Sequence, residues 1–598
     1  MPNLMGDALA KCAKYNPTGE FLIYGDERIT WSEMNERVNC LAAGLSAQGI
    51  KKGDNVVLMF HNCPAFFEAN YAIQKLGAVA VPMNYRFVPR EIVFQTQHSE
   101  AVAFIFEELW LESVLAALPE MSSVKTFVHR GKVQEGMLDY ESLIASHPPV
   151  EPKVNVSEEE TCVICYTGGT TGTPKGVMLT YKNHISLLHT MVDGMIPRLH
   201  NISIPEDVRN RIGLPGFVFS AMESRVAKWI LSRSSLQNGM SKLAKNMIGS
   251  TIGLRLSKGQ QIKQMMPSFP MFHDAAYQNA ILAPITGNMT LVLTVNPHFD
   301  PEEVCILVER ERPALLGNVP TGWKNLLKFK GVGKYDLSSV VIAATGGGVC
   351  PAALKRKIFA QFPGVIIADG FGQTEMAPTT SFKIDVSPDD LKDRSVGKPM
   401  VETRIVNEEG IDVAQGDIGE IIYRSPTIMK GYYKEENKTS EVIKDGWFYS
   451  GDLGWLDDEG DIRVAERKNE CISTGGEKIF PGEVEDILAE HEKIQDICVI
   501  GVPDETWGNS VRAVIRLNEG DTATEVEIID WCRGKMAGYK KPRTVLFVED
   551  FPISAVGKVQ RNRVRELYGA PTSENTTPQG SDTSEEQSNL EESTGLVE

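Results

Sequence analysis

The sequence contains no apolar run approaching the ~18 residues needed to span a bilayer. Its first residues, Met1-Pro-Asn-Leu-Met-Gly-Asp, have neither the basic start nor the long apolar core of a secretory signal. A cytoplasmic setting is therefore expected. The ten cysteines follow no framework spacing, so no disulfide scaffold is expected. Cys162 and Cys165 form a C-x-x-C, but inside an apolar run that reads as a strand. They read as small core hydrophobes in preference to a redox pair. With no second cysteine pair at metal spacing, a structural zinc is not expected. Basic charge is scarce as well. Against 79 Asp and Glu stand 61 Lys and Arg, a formal charge of −18, so the basic face of a general nucleic-acid binder is not expected. No internal repeat is evident. Residues 571–598 nearly lack large apolar side chains and hold seven acidic residues with no Lys or Arg. This tail is expected to be disordered.

What the chain does have is length and an ordinary globular composition. At 598 residues, with 42% hydrophobic and 23% charged residues, more than one domain is expected. The first 150 residues alternate strand and helix signals. Phe21–Tyr24, Asn55–Phe60, Ala78–Val81, Ala101–Phe106 and Val124–Val128 read as strands. Thr30-Trp-Ser-Glu33 has the spacing of a capping box, with Val38, Leu41 and Leu45 on one helical face after it. The alternation predicts a large multi-layer α/β domain over 1–466. From Arg467 the texture changes. A helix entering at Ile479–Leu488 and strands at Ile497–Val502, Val511–Leu517 and Thr544–Val548 predict a small α+β unit over 467–570, with the boundary near Asn469.

The most informative stretch is Tyr166-Thr-Gly-Gly-Thr-Thr-Gly-Thr-Pro-Lys-Gly-Val177. It follows the apolar run Cys162–Cys165 and precedes a stretch, Thr180–Met191, that can be helical. Strand, glycine loop and helix together aim backbone N–H groups at phosphate oxygens. Gly168, Gly169 and Gly172 let the backbone approach an anion closely. Thr167, Thr170, Thr171 and Thr173 add hydroxyls, and Lys175 adds a positive charge. Lys175 follows proline and is not followed by Ser or Thr, so this is not the P-loop. Further on, a second glycine turn, Gly346, Gly347 and Gly348, follows the apolar run Val340–Ala343. Asp369-Gly370-Phe371-Gly372-Gln-Thr374-Glu375 follows Val365–Ala368. Phe371 could face a purine, Thr374 could donate to a phosphate, and Glu375 offers a hard oxygen for Mg²⁺. Asp452 could accept both hydroxyls of a ribose, and Arg467 lies fifteen residues beyond it. Lys558 sits on a turn in Pro552-Ile-Ser-Ala-Val-Gly-Lys-Val-Gln-Arg561.

Each piece alone is weak. Together and in this order they resemble the adenylate-forming superfamily, which includes acyl-CoA synthetases, luciferases and adenylation domains. The resemblance runs from about Phe21 to Tyr568, and the pieces closest to acyl- and aryl-CoA synthetases include Pro270-Met-Phe-His273 and Gly475-Gly476-Glu-Lys-Ile-Phe-Pro481. It implies an AMP-forming acid–thiol ligase using ATP, Mg²⁺ and coenzyme A. Its substrate would be a hydrophobic carboxylic acid, a fatty acid first of all. The alternatives are an aryl or alicyclic acid, or transfer to a carrier-protein thiol. The resemblance further implies that Thr167–Gly172 and Lys175 hold the β- and γ-phosphates. Gly346–Gly348, Asp369–Gly372 and Phe371 would flank adenine. Asp452 and Arg467 would hold ribose, Thr170 and Glu375 the Mg²⁺, and Lys558 would bridge the carboxylate and the α-phosphate. His273 would stand beside the acyl carbonyl, Asn469 would be the hinge, and Gly475 and Gly476 would line the pantetheine channel.

Two departures from the resembled pattern stand out. The hinge position is Asn469, where Asp or Lys is usual, and it is preceded by Glu466-Arg-Lys. About ninety residues separate the glycine loop from Pro270, roughly twice the expected span, defining an insert at about 195–268. Residues 221–266 carry eight Lys or Arg (Arg225, Lys228, Arg233, Lys242, Lys245, Arg255, Lys258 and Lys263) against one acid, Glu223. A basic amphipathic segment of this kind can lie on an anionic membrane. It can equally cover the substrate pocket or form a homodimer contact.

Overall fold

The computed structural model describes residues 4–167, 174–198, 233–248, 250, 253–254, 262–278, 288–474, 477–504, 506–554 and 558–570. The chain divides into two compact units. The larger holds residues 1–469 and 553–558, and the smaller holds 470–552 and 559–598. The split falls at Asn469, three residues beyond the expected end of the first domain.

Two mostly parallel sheets form the frame of the larger unit. One has nine strands, in the order Lys398–Pro399, Thr379–Asp385, Ile366–Gly372, Ile342–Gly346, Leu315–Asn318, Lys263–Met265, Thr290–Leu293, Glu20–Tyr24 and Glu27–Thr30. The six strands from Ile366–Gly372 to Glu20–Tyr24 are parallel. The other sheet has eight strands, Gly431–Tyr432, Lys175–Thr180, Thr161–Thr167, Val79–Pro82, Asn55–Met59, Ala103–Glu107, Thr126–Arg130 and Leu138–Asp139. Its parallel strands are buried almost throughout, as sheets covered on both faces require. The helix Trp31–Ala47 begins as the sequence predicts. Thr30 N–H donates to Glu33 Oε2 at 2.8 Å while Glu33 N–H donates to Thr30 Oγ1 at 3.2 Å, and Val38, Leu41 and Leu45 are buried. An antiparallel sheet of Glu402–Val406, Gly419–Arg424, Trp447–Leu456, Ile443–Lys444 and Ile462–Arg467 completes the unit. The smaller unit pairs Ile494–Asp504 antiparallel with Gly508–Leu517, which pairs parallel with Thr544–Phe547. Helices Pro481–Leu488 and Glu525–Trp531 pack Val484, Leu488 and Ile528 into its core. The fold is α/β with a small α+β domain. Among the described residues no helix is long and apolar enough to cross a membrane.

One sequence expectation is corrected. The glycine loop does not open a helix. Thr161–Thr167 and Lys175–Thr180 pair antiparallel, with Thr167 opposite Lys175, so the loop joins two strands. The helix, Tyr181–Met195, starts only after the second strand, capped by Thr180. The helix start near Thr180 agrees with the expectation; the strand before it, with the β character of Val177-Met-Leu179, was not expected. The insert is described only in part. Ser234–Met247 is a helix whose Leu236, Met240 and Leu243 are exposed and whose Lys245 pairs with Asp193. Lys263 belongs to the nine-stranded sheet and bonds Glu311. Arg225, Lys228, Arg255, Lys258 and the tail 571–598 lie outside the described residues.

Candidate active site

The glycine hairpin brings Lys175 to its base. Gly168, Gly169, Thr170, Thr171 and Gly172 lie outside the described residues. Lys175 Nζ stands 4.8 Å from the centroid of the Tyr432 ring, a cation–π contact. Tyr432 reaches this place because its strand pairs with Lys175–Thr180. Its hydroxyl donates to Glu375 Oε1 at 2.9 Å. The chain Lys175–Tyr432–Glu375 therefore links the strand after the glycine loop to the expected metal ligand. Tyr432 was missed from sequence; its signal is the Gly431-Tyr432-Tyr433 run, which reads as an ordinary buried strand.

Glu375 and Thr374 follow the strand Ile366–Gly372, on a single 3-10 turn at Thr374–Met376. Thr374 is buried, while Glu375 and Phe371 are half-buried. Gly372 has φ +157°, and a Cβ there would come within 1.9 Å of Pro378 O, so only glycine fits. Asp369, expected to contact the nucleotide, has a cation partner within the fold. It is buried, and one of its oxygens is 2.6 Å from Lys355 Nζ, which also reaches Asp385 at 3.0 Å. Asp369 thus ties three elements beneath the site, and sequence missed Lys355 because nothing marks it within its helix, Ala352–Gln361.

Gly346 is registered opposite Gly370 at the carboxyl ends of adjacent parallel strands, and Gly347 turns with φ +76°. Ligands collect at such strand ends in open α/β sheets. Lys558 Cε lies 3.6 Å from where a Cβ on Gly348 would be. Lys558 N–H donates to Ser554 Oγ at 3.1 Å. Asn318, at the end of the neighbouring strand, is fully buried, and neither of its amide atoms has a partner among the described residues. It too was missed, although a polar residue closing the run Leu315-Leu-Gly-Asn318 is a usable signal.

Asp452 and Arg467 sit opposite one another across an antiparallel hairpin. Arg467 Nε is 2.7 Å from Asp452 Oδ1, while Oδ2 is buried with no partner among the described residues. Burial raises the Asp452 pKa from 3.8 to about 6 and outweighs the pull of Arg467; Glu375 raises it further and Lys558 lowers it. The His273 ring is pushed down to about 4, by burial first and then by the charge of Lys558, so it is a neutral imidazole at pH 7. Asn469 ends the larger unit. In the smaller unit Arg561 pairs with Glu470 and, at 2.7 Å, with Glu485. The hairpin Ile472–Thr474 with Glu477–Ile479 is described, but Gly475 and Gly476 at its tip are outside the described residues.

All ten cysteines are free; Cys162 and Cys165 are buried in their strand and burial raises both thiols. Among the described residues one group of side chains has metal-competent spacing, His61 with Cys63 and Glu107. Glu107 Oε1 already accepts from the His61 backbone N–H at 2.6 Å and from Trp110 Nε1 at 3.1 Å, and both carboxylate oxygens lie within 2.8 Å of His61 Nδ1, which reads as a complete core network.

The family model described as AMP-binding enzyme matches residues 9–208 and 241–433, and its C-terminal domain matches 483–558. The chain belongs to the AMP-binding, adenylate-forming enzyme family. The match skips 209–240, inside the expected insert. Among curated relatives, a feruloyl-CoA synthase of Amycolatopsis sp is 29% identical over 570 residues, covering 94% of this chain and 99% of its own. A long-chain-fatty-acid–CoA ligase of Bacillus subtilis (strain 168) is 28% identical over 577 residues, 91% and 90% of the two chains. Of solved structures, an anthranilate CoA ligase with anthranoyl-AMP has a TM-score of 0.77 at 24% identity, covering 94% and 97%. ATP-bound MatB from Rhodopseudomonas palustris gives 0.75 at 22%, covering 95% and 99%.

Proposed function

We propose that this enzyme is an AMP-forming acid–CoA ligase acting on a carboxylic acid with an apolar body. The observation that carries the reading is a convergence. Lys558, Glu375 and Arg467 lie close enough together that each shifts the proton affinity of Asp452. That is the set a carboxylate needs to attack ATP. Two anions must meet, so the site requires fixed cations and donors. Lys558 bridges the substrate carboxylate and the α-phosphate. A carboxylate oxygen bonds to the α-phosphorus, the bond from the α-phosphorus to the α,β-bridging oxygen breaks, and pyrophosphate leaves with its β,γ bridge intact. Lys175 and the glycine-loop residues Thr167–Gly172 hold the departing phosphates, and Thr374 donates to them. Asp452 Oδ2 accepts from a ribose hydroxyl while Arg467 fixes Oδ1. Phe371, Gly370 and the turn Gly346–Gly348 flank adenine, and Asp369 supports them from below through Lys355. A half-buried carboxylate suits Mg²⁺, so Glu375 and Thr170 would hold that ion, which neutralises pyrophosphate charge when bound. Neutral His273 offers an N–H at the acyl carbonyl without adding charge.

In the second half-reaction the CoA sulfur bonds to the acyl carbon, the acyl–phosphate bond breaks, and AMP leaves. Asn469 is the hinge for this change, and Gly475 and Gly476 line the pantetheine path. The relatives named for ferulate, indoleacetate and long-chain fatty acids support CoA as acceptor and an acid with an apolar body, fatty or aromatic. Pyrophosphate release across a panel of fatty and aryl acids tests the reading. Acyl-CoA should form with free CoA faster than acyl transfer to a pantetheinylated carrier protein; the reverse order makes the carrier the acceptor. Peripheral membrane contact through 221–266 has its own test. Salt-sensitive sedimentation with anionic vesicles supports it. No binding at low salt leaves the segment as a pocket cover or homodimer contact.

A further inference from the structure

Behind His273 the larger unit buries a cluster of polar side chains. Asp274 opens a short helix, Asp274–Ala276, and Tyr277 and Gln278 follow it into the core. Gln278 Nε2 lies 2.5 Å from Nδ1 of His184, on the helix Tyr181–Met195, and 3.4 Å from Asp274 Oδ1. Tyr277 stacks on the His184 ring, centroids 5.9 Å apart, and donates to Asn70 Oδ1 at 2.9 Å. Asp274, His184, Gln278 and Asn70 are each 5% exposed or less. Yet Asp274 Oδ2, His184 Nε2, Gln278 Oε1 and Asn70 Nδ2 have no hydrogen-bond partner among the described residues. Native cores keep such atoms rare, because each one left unpaired is costly. Four in one connected network call for a partner beyond the described residues, and a bound guest is one that chemistry can specify.

The cluster is uncharged. Burial raises the Asp274 carboxyl to about 8, with Glu375 adding to the effect against a hydrogen bond from Gln278, and burial lowers His184 to about 4. It therefore offers donors in Asp274 O–H, His184 Nε2–H and Asn70 N–H, and an acceptor in the Gln278 carbonyl. A neutral guest that both accepts and donates matches that set, and an alcohol or phenol is the simplest. A saturated tail would leave all four atoms unpaired.

We propose that Asp274, His184, Gln278 and Asn70 form a recognition site for a hydroxyl on the body of the carboxylic acid. The enzyme then selects hydroxylated acids over their hydrocarbon counterparts. The inference rests on the acid-activating reading above, because it is His273, one residue away, that ties the cluster to the acyl group.

The test is pyrophosphate release by the full-length enzyme with ATP, Mg²⁺ and CoA, on two matched pairs: para-coumarate against cinnamate, and omega-hydroxyoctanoate against octanoate. In at least one pair the hydroxylated acid should have the higher kcat/KM by on the order of 10²-fold, since a site built for a hydroxyl rejects the analogue lacking it. His184→Phe combined with Gln278→Met should bring that ratio towards one, mainly through KM for the hydroxylated acid. Asp274→Asn, which keeps a donor and an acceptor, should retain most of it. Thermal unfolding of each variant establishes that it is folded, and the wild-type ratio needs no variant at all. Equal turnover within both pairs by the wild type overturns the proposal, as does a preference that the folded double variant keeps; the cluster is then satisfied by buried water. Pyrophosphate release from none of the four acids, nor from any acid of the wider panel, overturns the acid-activating reading and this inference with it.

Discussion

Asp369 and Asp452 look alike in the sequence, each beside a glycine in a glycine-rich motif, and both are 3% exposed. Each has one cation at nearly the same distance, Lys355 at 2.6 Å and Arg467 at 2.7 Å. They differ in what surrounds the pair. Lys355 is itself buried and shared with Asp385, so that pair is closed within the fold. The Arg467 side chain is 41% exposed, and Asp452 keeps one buried oxygen without a partner among the described residues. A buried carboxylate with neither oxygen among the unpartnered atoms, as Asp369 is, holds strands together. One with an open acceptor is set to receive a donor from outside the chain. Nearness to a glycine motif does not separate these roles; a buried oxygen left without a partner, as in Asp452, does.

The sharpest way to break the comparison is Asp369→Ala. Removing one partner of a buried pair should cost about 3–5 kcal/mol of stability, read by urea unfolding, while KM for ATP of the folded enzyme stays within about twofold. If ATP binding collapses and stability does not, Asp369 is a nucleotide contact and the distinction fails. Lys558→Ala comes next. Adenylate formation should fall by on the order of 10²-fold or more, and thioester formation from supplied acyl-adenylate should survive. Equal loss in both half-reactions removes Lys558 from the first.

Asp452 is the counterpart of Asp369. Asp452→Asn should raise KM for ATP by on the order of 10-fold with little loss of stability. Its pH dependence follows from its raised pKa. Between about 4 and 6 the folded protein holds a proton that the unfolded chain releases, so this group's contribution favours folding at low pH and is lost as pH rises through 6. Nucleotide binding runs the other way, because the acceptor must be ionised. KM for ATP should climb as pH falls below 6 in the wild type and should not in Asp452→Asn. The smallest effect is expected from Tyr432→Phe. It removes the hydroxyl on Glu375 but keeps the ring beneath Lys175, so a loss of about fivefold, appearing as a higher Mg²⁺ requirement, is expected. An unchanged Mg²⁺ dependence would detach Glu375 from the metal.

Much of the frame was legible because it rests on local signals. Parallel strands such as Asn55–Met59 are continuous apolar runs, and the cap at Thr30 is a four-residue pattern. The hairpin after the glycine loop was not, because Val177-Met-Leu179 fits a strand or a helix start until its partner strand is known. The site residues proposed from sequence sit in dense motifs, whereas Tyr432, Asn318 and Lys355 do not. Tyr432 and Lys355 matter through partners far away in sequence: Tyr432 reaches Glu375 across 57 positions, and Lys355 reaches Asp385 across 30. Such pairings are products of topology, and no local pattern encodes them.

The strand Ile462–Arg467 has a further consequence for anyone who would exchange parts between such enzymes. It supplies half of the Asp452–Arg467 clamp, and two residues after Arg467 the larger unit ends at Asn469. A hybrid joined upstream of this strand would take its clamp arginine from one parent and its aspartate from the other, with the hairpin register left to chance. Joined after Asn469, the donor segment brings its own Arg561 and Glu470, which are already paired within the smaller unit. A junction after Asn469 therefore keeps the clamp whole, while Lys558, on the returning segment 553–558 of the larger unit, comes from the donor.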